Sequence, residues 1–99
     1  MNIDKYPLKV TLNKTGEMIY FSQLDIFHVL ERALRRSKLP LYYTQGFSPR
    51  VKISFLSGLK LGLEGKIEAK FYFTKLLSFK TFKVAILPQL PQGLEFSGE

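Results

Sequence analysis

Ser22-Gln23-Leu24-Asp25-Ile26-Phe27-His28-Val29-Leu30-Glu31-Arg32-Ala33-Leu34-Arg35-Arg36-Ser37-Lys38-Leu39-Pro40 contains a start signal, a period and a stop signal for one helix. Ser22 and Asp25 stand at the Ser-x-x-acid spacing of an N-cap. The Ser oxygen accepts orphan backbone N–H groups and Asp25 favours the positive end of the helix dipole. A helix is expected to begin near Gln23. Winding it at about 100° per residue groups Leu24, Phe27, Leu30 and Leu34 with Ile26 and Ala33, and places Asp25, His28, Arg32, Arg35 and Arg36 largely opposite. Leu39-Pro40 stops it, because the residue before a proline avoids the α region. The segment therefore predicts an amphipathic helix whose outer side is basic.

Upstream, Tyr6 to Asn13 alternates, with Leu8, Val10 and Leu12 on one face and Lys9, Thr11 and Asn13 on the other, the period of a half-buried strand. Lys14-Thr15-Gly16-Glu17 reads as a turn, and Met18 to Phe21 as a short extended stretch that would complete a hairpin arm. Downstream, Leu41 to Gln45 reads as extended and Gly46 to Pro49 as a turn or exposed loop. Arg50 to Leu56 alternates, with Val51, Ile53 and Phe55 sharing a face. Gly58, Gly62 and Gly65 mark a connection. Lys66 to Phe73 is a further strand, with Ile67, Ala69, Phe71 and Phe73 on one side and Lys66, Glu68, Lys70 and Tyr72 on the other. Ser78 caps a second helix to about Leu87, with Phe79, Phe82 and Ile86 as its apolar stripe and Pro88 as its end; Leu94 to Phe96 is a last short strand. The order β-α-β-β-α-β predicts an α+β fold. It is a ferredoxin-like sandwich of one antiparallel sheet with two helices on one face and an extra N-terminal hairpin arm.

Composition agrees with one domain over residues 1–99. Apolar residues make up 45% of the chain, with nine Phe and five Tyr, enough for one packed core. There is no cysteine, which excludes disulfides, thiolate metal sites and a cysteine nucleophile, and a reducing cytoplasm fits. The N-terminal residues lack the apolar stretch of a signal peptide, and no run is long enough for a membrane helix, so a soluble cytoplasmic protein with no membrane partner is expected. Fifteen Lys and Arg against eight Asp and Glu give a net charge of +7. Between Glu31 and Glu64 there is no acid, while Arg32, Arg35, Arg36, Lys38, Arg50, Lys52 and Lys60 all lie there. Such a concentrated field attracts polyanions, nucleic acid or an acidic protein, and also serves plain solubility.

The chemistry of catalysis is sparse. His28 is the only histidine, and it has no second His, no paired carboxylates and no Ser-His-acid set beside it in sequence. No phosphate-binding glycine motif is present. Gly62-Leu63-Glu64-Gly65 matches a bare G-x-x-G but precedes a strand and carries a repelling Glu, and the strands do not match the aromatic RNA-binding pattern of an RRM. What remains is Tyr42-Tyr43-Thr44-Gln45-Gly46-Phe47-Ser48-Pro49-Arg50-Val51-Lys52. Rings stack on unpaired bases, Gln45 pairs with a base edge, the Gly46 backbone permits close approach, and Arg50 and Lys52 neutralise phosphates. The alternative is ordinary strand aromatics followed by a plain turn.

At these residues the chain resembles a bacterial family, the radical-SAM-linked domain of unknown function, whose members are fused to radical SAM proteins or encoded beside them. Phe21-Ser22-Gln23-Leu24-Asp25, with Glu31-Arg32-Ala33-Leu34-Arg35-Arg36 and Leu39-Pro40, looks like the family's first motif. Tyr43-Thr44-Gln45-Gly46-Phe47-Ser48-Pro49-Arg50 with Lys52-Ile53-Ser54 looks like its second. The family usually has His at the position of Gln23, Asn at Ser48 and Pro at Val51, so no role for that His carries over. The likeness is to the N-terminal half of family members, and it implies an association with radical SAM enzymes. In fold alone, the chain is more distantly similar to CRISPR repeat-associated RNA-binding proteins.

The expectation is thus an RNA-binding module without catalytic residue, metal or cofactor. Its surface is formed by Arg32, Arg35, Arg36, Tyr43, Gln45, Gly46, Phe47, Arg50 and Lys52. The alternatives are an accessory domain that docks on a radical SAM enzyme and presents its substrate, and, more weakly, a metal-independent ribonuclease using His28.

Overall fold

Period-two alternation makes β1 (Tyr6–Lys14) and β3 (Gly65–Phe73) the long strands of the sheet in a computed structural model that describes residues 5–56 and 65–96. They pair antiparallel along their whole length, from Tyr6 with Phe73 to Lys14 with Gly65. β2 (Ile53–Phe55) pairs with the outer side of β3, and β4 (Leu94–Phe96) with the outer side of β1. The order β2-β3-β1-β4, antiparallel throughout, with α1 (Gln23–Ser37) and α2 (Phe79–Ile86) in the two crossovers, is the expected ferredoxin-like sandwich.

The core lies between the sheet and its helices. Val10, Leu12, Ile67, Ala69, Phe71 and Phe73 point up from the strands to meet Ile26, Leu30, Ala33 and Leu34 of α1 and Phe82 and Ile86 of α2. Phe82 is its aromatic centre, with ring centroids 5.1 Å from Phe71, 5.9 Å from Phe73 and 5.3 Å from Phe96. Tilted and edge-on contacts of this kind add to what burial of the rings contributes.

Both helix starts follow their sequence signals. The Ser22 hydroxyl accepts the Asp25 N–H at 3.2 Å, and the Asp25 carboxylate accepts the Ser22 N–H at 3.0 Å, a complete capping box. That backbone N–H, with the Ser22 hydroxyl, holds the Asp25 carboxyl below its ordinary range. Ser78 Oγ accepts the Thr81 N–H at 3.1 Å at the head of α2. α1 ends on Lys38 in the left-handed region at φ 62°, one residue before Leu39-Pro40.

The structure departs from expectation in two places. Gly16–Tyr20 is a 3-10 turn, not the second strand of a hairpin arm. The reason is occupancy: on the edge of β1 away from β3, the positions next to the turn, Leu12 to Lys14, are already taken by β4, so Met18 to Phe21 has no place to begin a hairpin. Met18 instead turns inward and is buried beneath Gly93, where an added Cβ would meet its Cγ at 2.7 Å. The second departure is on α1, whose inner side is Ile26, Leu30, Ala33 and Leu34, while Leu24 is 64% exposed and Phe27 only half-buried. Leu24 lies about 120° round the helix from Leu30 and so overhangs the edge of the sheet. The connection through Gly58 and Gly62, with Lys60, lies outside the described residues.

Candidate functional site

Between α1 and β2 the chain runs out and back as a narrow two-stranded flap. Tyr43 bridges to Val51. Thr44 N–H donates to Arg50 O at 2.7 Å and Lys52 N–H to Tyr42 O at 3.0 Å, while Arg50 N–H is capped by Thr44 Oγ1 at 3.1 Å. The tip, Gln45 to Pro49, is exposed. Gly46 sits at φ 140°, which a side chain would strain, and the Gln45 amide donates to Tyr43 O at 3.3 Å. The Phe47 ring stands fully in solvent.

Glu31 fastens this flap to the helix. It is buried, and its carboxylate takes both arms of the Arg50 guanidinium, Nη2 to Oε1 at 2.9 Å and Nε to Oε2 at 3.3 Å. Planar two-point pairing is what arginine provides and lysine does not. One turn along α1, Arg35 Nη2 lies 3.6 Å from Glu31 Oε2, and its guanidinium carbon sits 5.6 Å from the centre of the Tyr43 ring. Arg50 also lies over Phe27 at 5.4 Å. Its hydrogen bond holds the Glu31 carboxyl below the ordinary glutamate range, and Glu31 in turn raises the Arg50 guanidinium. His28, half-buried, brings Nδ1 to 3.5 Å from Arg50 Nη2 and 3.9 Å from Glu31 Oε1.

Arg32 and Arg36 occupy the other flank of α1. Both are exposed, and between described residues neither has an acidic partner, since the ion pairs there all close on Glu31. With Gln89, Leu90 and Pro91 from the turn after α2 they line a shallow hollow of about 290 Å³.

Lys52 lies elsewhere again. Tyr43 and Val51 look toward α1, so by alternation Tyr42 and Lys52 look from the opposite face of the sheet, where Lys52 Nζ is 5.3 Å from the Tyr72 ring centre. The nine residues expected to form one surface therefore divide. Arg35, Tyr43, Gln45, Gly46, Phe47 and Arg50 belong to the flap and its clasp, Arg32 and Arg36 to the far flank of the helix, and Lys52 to the open sheet face. Glu31 was not among the site residues expected from sequence. The only signal for it is its place four residues before Arg35 as the last acid before a long basic stretch.

Among the described residues no group of three or more His, Cys, Asp or Glu is placed to hold a metal, and no helix is long and apolar enough to cross a membrane. No curated protein and no solved structure matches the chain. A family model described as an uncharacterized protein conserved in bacteria (DUF2344) matches residues 8–98.

Proposed function

The chain belongs to that bacterial family, DUF2344, and from this premise we propose that it is a non-catalytic RNA-binding module acting in the cytoplasm. The observation that carries the reading is the pair Arg32 and Arg36, without an acidic partner among the described residues and set one turn apart on a helix of a chain with net charge +7. Unpaired guanidinium groups at that spacing meet consecutive phosphates without first breaking an ion pair, and counterion release makes such contacts favourable and salt-dependent. The flap complements them. Its backbone is tied to α1 through Arg50, its tip presents Phe47 for stacking on an unpaired base, and Gln45 offers an amide to a base edge. Arg50 then acts by positioning the flap, and Arg35 is left about half exposed to add charge beside Tyr43.

Titration of single-stranded and structured RNAs at several salt concentrations tests this directly. Binding should fall steeply with salt, at roughly 0.7 log unit per log unit of salt for each phosphate neutralised on a single strand. Failure to bind any RNA below about 100 μM, the weak end of nonspecific affinity, would abandon the reading.

One observation favours a second reading, an accessory domain that docks on a protein, for which the resemblance implies a radical SAM enzyme. Leu24, Phe27, Ile53 and Phe55, with Gln23, line an open and largely apolar groove of about 490 Å³ between the start of α1 and β2. An apolar groove suits a protein side chain better than a phosphate. Co-purification with the native protein after nuclease treatment separates the two readings. A stoichiometric protein partner that survives, lost with Leu24→Asp, supports the second.

A further inference from the structure

The face of the sheet turned away from the helices bears a second basic and aromatic surface. At one end of it stands Tyr72, with Lys5 Nζ 5.5 Å and Lys52 Nζ 5.3 Å from the centre of its ring, and Tyr42 next to it with Lys5 at 6.0 Å. One step along the strands, Lys9 and Lys70 sit directly opposite each other in the β1–β3 register. Like charges facing each other across a ladder destabilise the pair. Between described residues, neither lysine has an acidic partner that would relieve it. The acids of this face come further along: Glu68 opposite Thr11, and Glu95 opposite Asn13. Among the described residues, the Tyr72 end of this face therefore carries only positive charges.

We propose that this end of the open sheet face binds a single-stranded nucleic acid, with Tyr72 and Tyr42 stacking on bases and Lys5, Lys9, Lys52 and Lys70 taking the flanking phosphates. At this end β1 and β3, with the flap strand of Tyr42 beside them, present a sheet face whose half-buried rings can meet unpaired bases, and every base offers a π-face. The lysines now over Tyr72 are held by partly exposed cation–π contacts, which a stacking base can displace while the flexible stems swing to its phosphates. A polyanion also removes the Lys9–Lys70 repulsion, which solvent and salt only screen. For the class of its ligand the proposal rests on the RNA reading above, but it uses none of the same residues.

The test is fluorescence anisotropy of labelled oligouridine and oligothymidine with the full chain, for wild type, Tyr72→Leu, the pair Lys9→Gln and Lys70→Gln, and the pair Arg32→Glu and Arg36→Glu. Leucine keeps an apolar side chain on the strand, so Tyr72→Leu should melt within a few degrees of wild type. It should bind both oligomers roughly tenfold more weakly, as the loss of a stacked base predicts. The lysine pair should flatten the salt slope by roughly 1.4, two phosphates' worth. Similar loss for both oligomers identifies the bases and backbone as the ligand; loss for oligouridine alone, with oligodeoxyuridine behaving as oligothymidine does, adds recognition of the 2′-hydroxyl. Ultraviolet crosslinks should fall on the peptide carrying Lys70 and Tyr72. Unchanged binding by a folded Tyr72→Leu, with crosslinks confined to α1 and the flap, overturns this site and leaves the helix reading standing. Loss in Tyr72→Leu and the lysine pair but not in the α1 pair supports this site and removes the helix reading. No binding of either oligomer by wild type removes both.

Discussion

On the flap side of α1 two arginines share one buried carboxylate, whereas about a quarter-turn away two arginines share none among the described residues. The same residue type, around the same helix, thus does two jobs. Arg50 and Arg35 share the one negative charge of Glu31 and hold the flap to the helix, so removing either is a change in structure. Arg32 and Arg36 hold nothing between described residues, so removing them is a change in field. Counting basic residues would treat all four alike. What separates them is whether Glu31 is within reach.

The largest effect should come from reversing the free pair. Arg32→Glu with Arg36→Glu is expected to weaken RNA binding on the order of a hundredfold at moderate salt while leaving the melting curve almost unmoved, checked by anisotropy and calorimetry. Equal loss from Arg35→Gln alone would break the comparison. Next comes the flap tip. Phe47→Ala should cost about 1–3 kcal/mol of binding to single strands if the ring stacks on a base, and nothing in stability, because the ring is fully exposed.

Glu31→Gln should behave the other way round. It removes the anchor of the flap, so the melting temperature should fall by roughly 5 °C, yet it also releases two guanidinium groups and should steepen the salt dependence of RNA binding. A melting temperature equal to wild type would mean that the ion pair contributes nothing, as many exposed pairs do.

The acid limb gives a gentler version. The Glu31 carboxyl is held low by the Arg50 hydrogen bond, so its contribution is complete above the ordinary glutamate range and disappears as pH falls through the depressed value. Part of the wild-type loss of stability with acid should therefore be missing from Glu31→Gln, in urea melts taken across that range. The smallest effect is expected of His28→Ala, which meets the clasp at its edge, 3.5 Å from Arg50 and 3.9 Å from Glu31. RNA affinity should hold, and RNA cleavage by wild type that vanishes in this variant would overturn the binding-only reading.

How far these surfaces could be read beforehand depended on the range of the signal. Caps and periods are local, so Ser22, Ser78, the two helices, β1 and β3 came through in the sequence, and element order alone led to the sheet. The hairpin arm failed because it turned on whether an edge of β1 was free, and that is settled by β4, more than seventy residues further on. The dispersal of the candidate residues was hidden in the same way. Arg50 and Arg35 look alike as letters, and Lys52 looks like a neighbour of both. Only the closing of the flap against Glu31, and the alternation of side chains through the sheet, send them to different places.

The central pairing of the sheet also sets an order in time. β1 finds its partner β3 only when Phe73 can reach Tyr6, so closing that ladder means drawing together the ends of most of the chain, an entropically slow step. α1, with its capping box and local contacts, needs no such wait. On a growing chain, then, the basic helix precedes the platform beneath it. The Tyr72 face cannot exist until β3 has been made, while a positively charged segment is already available to whatever polyanion lies nearby.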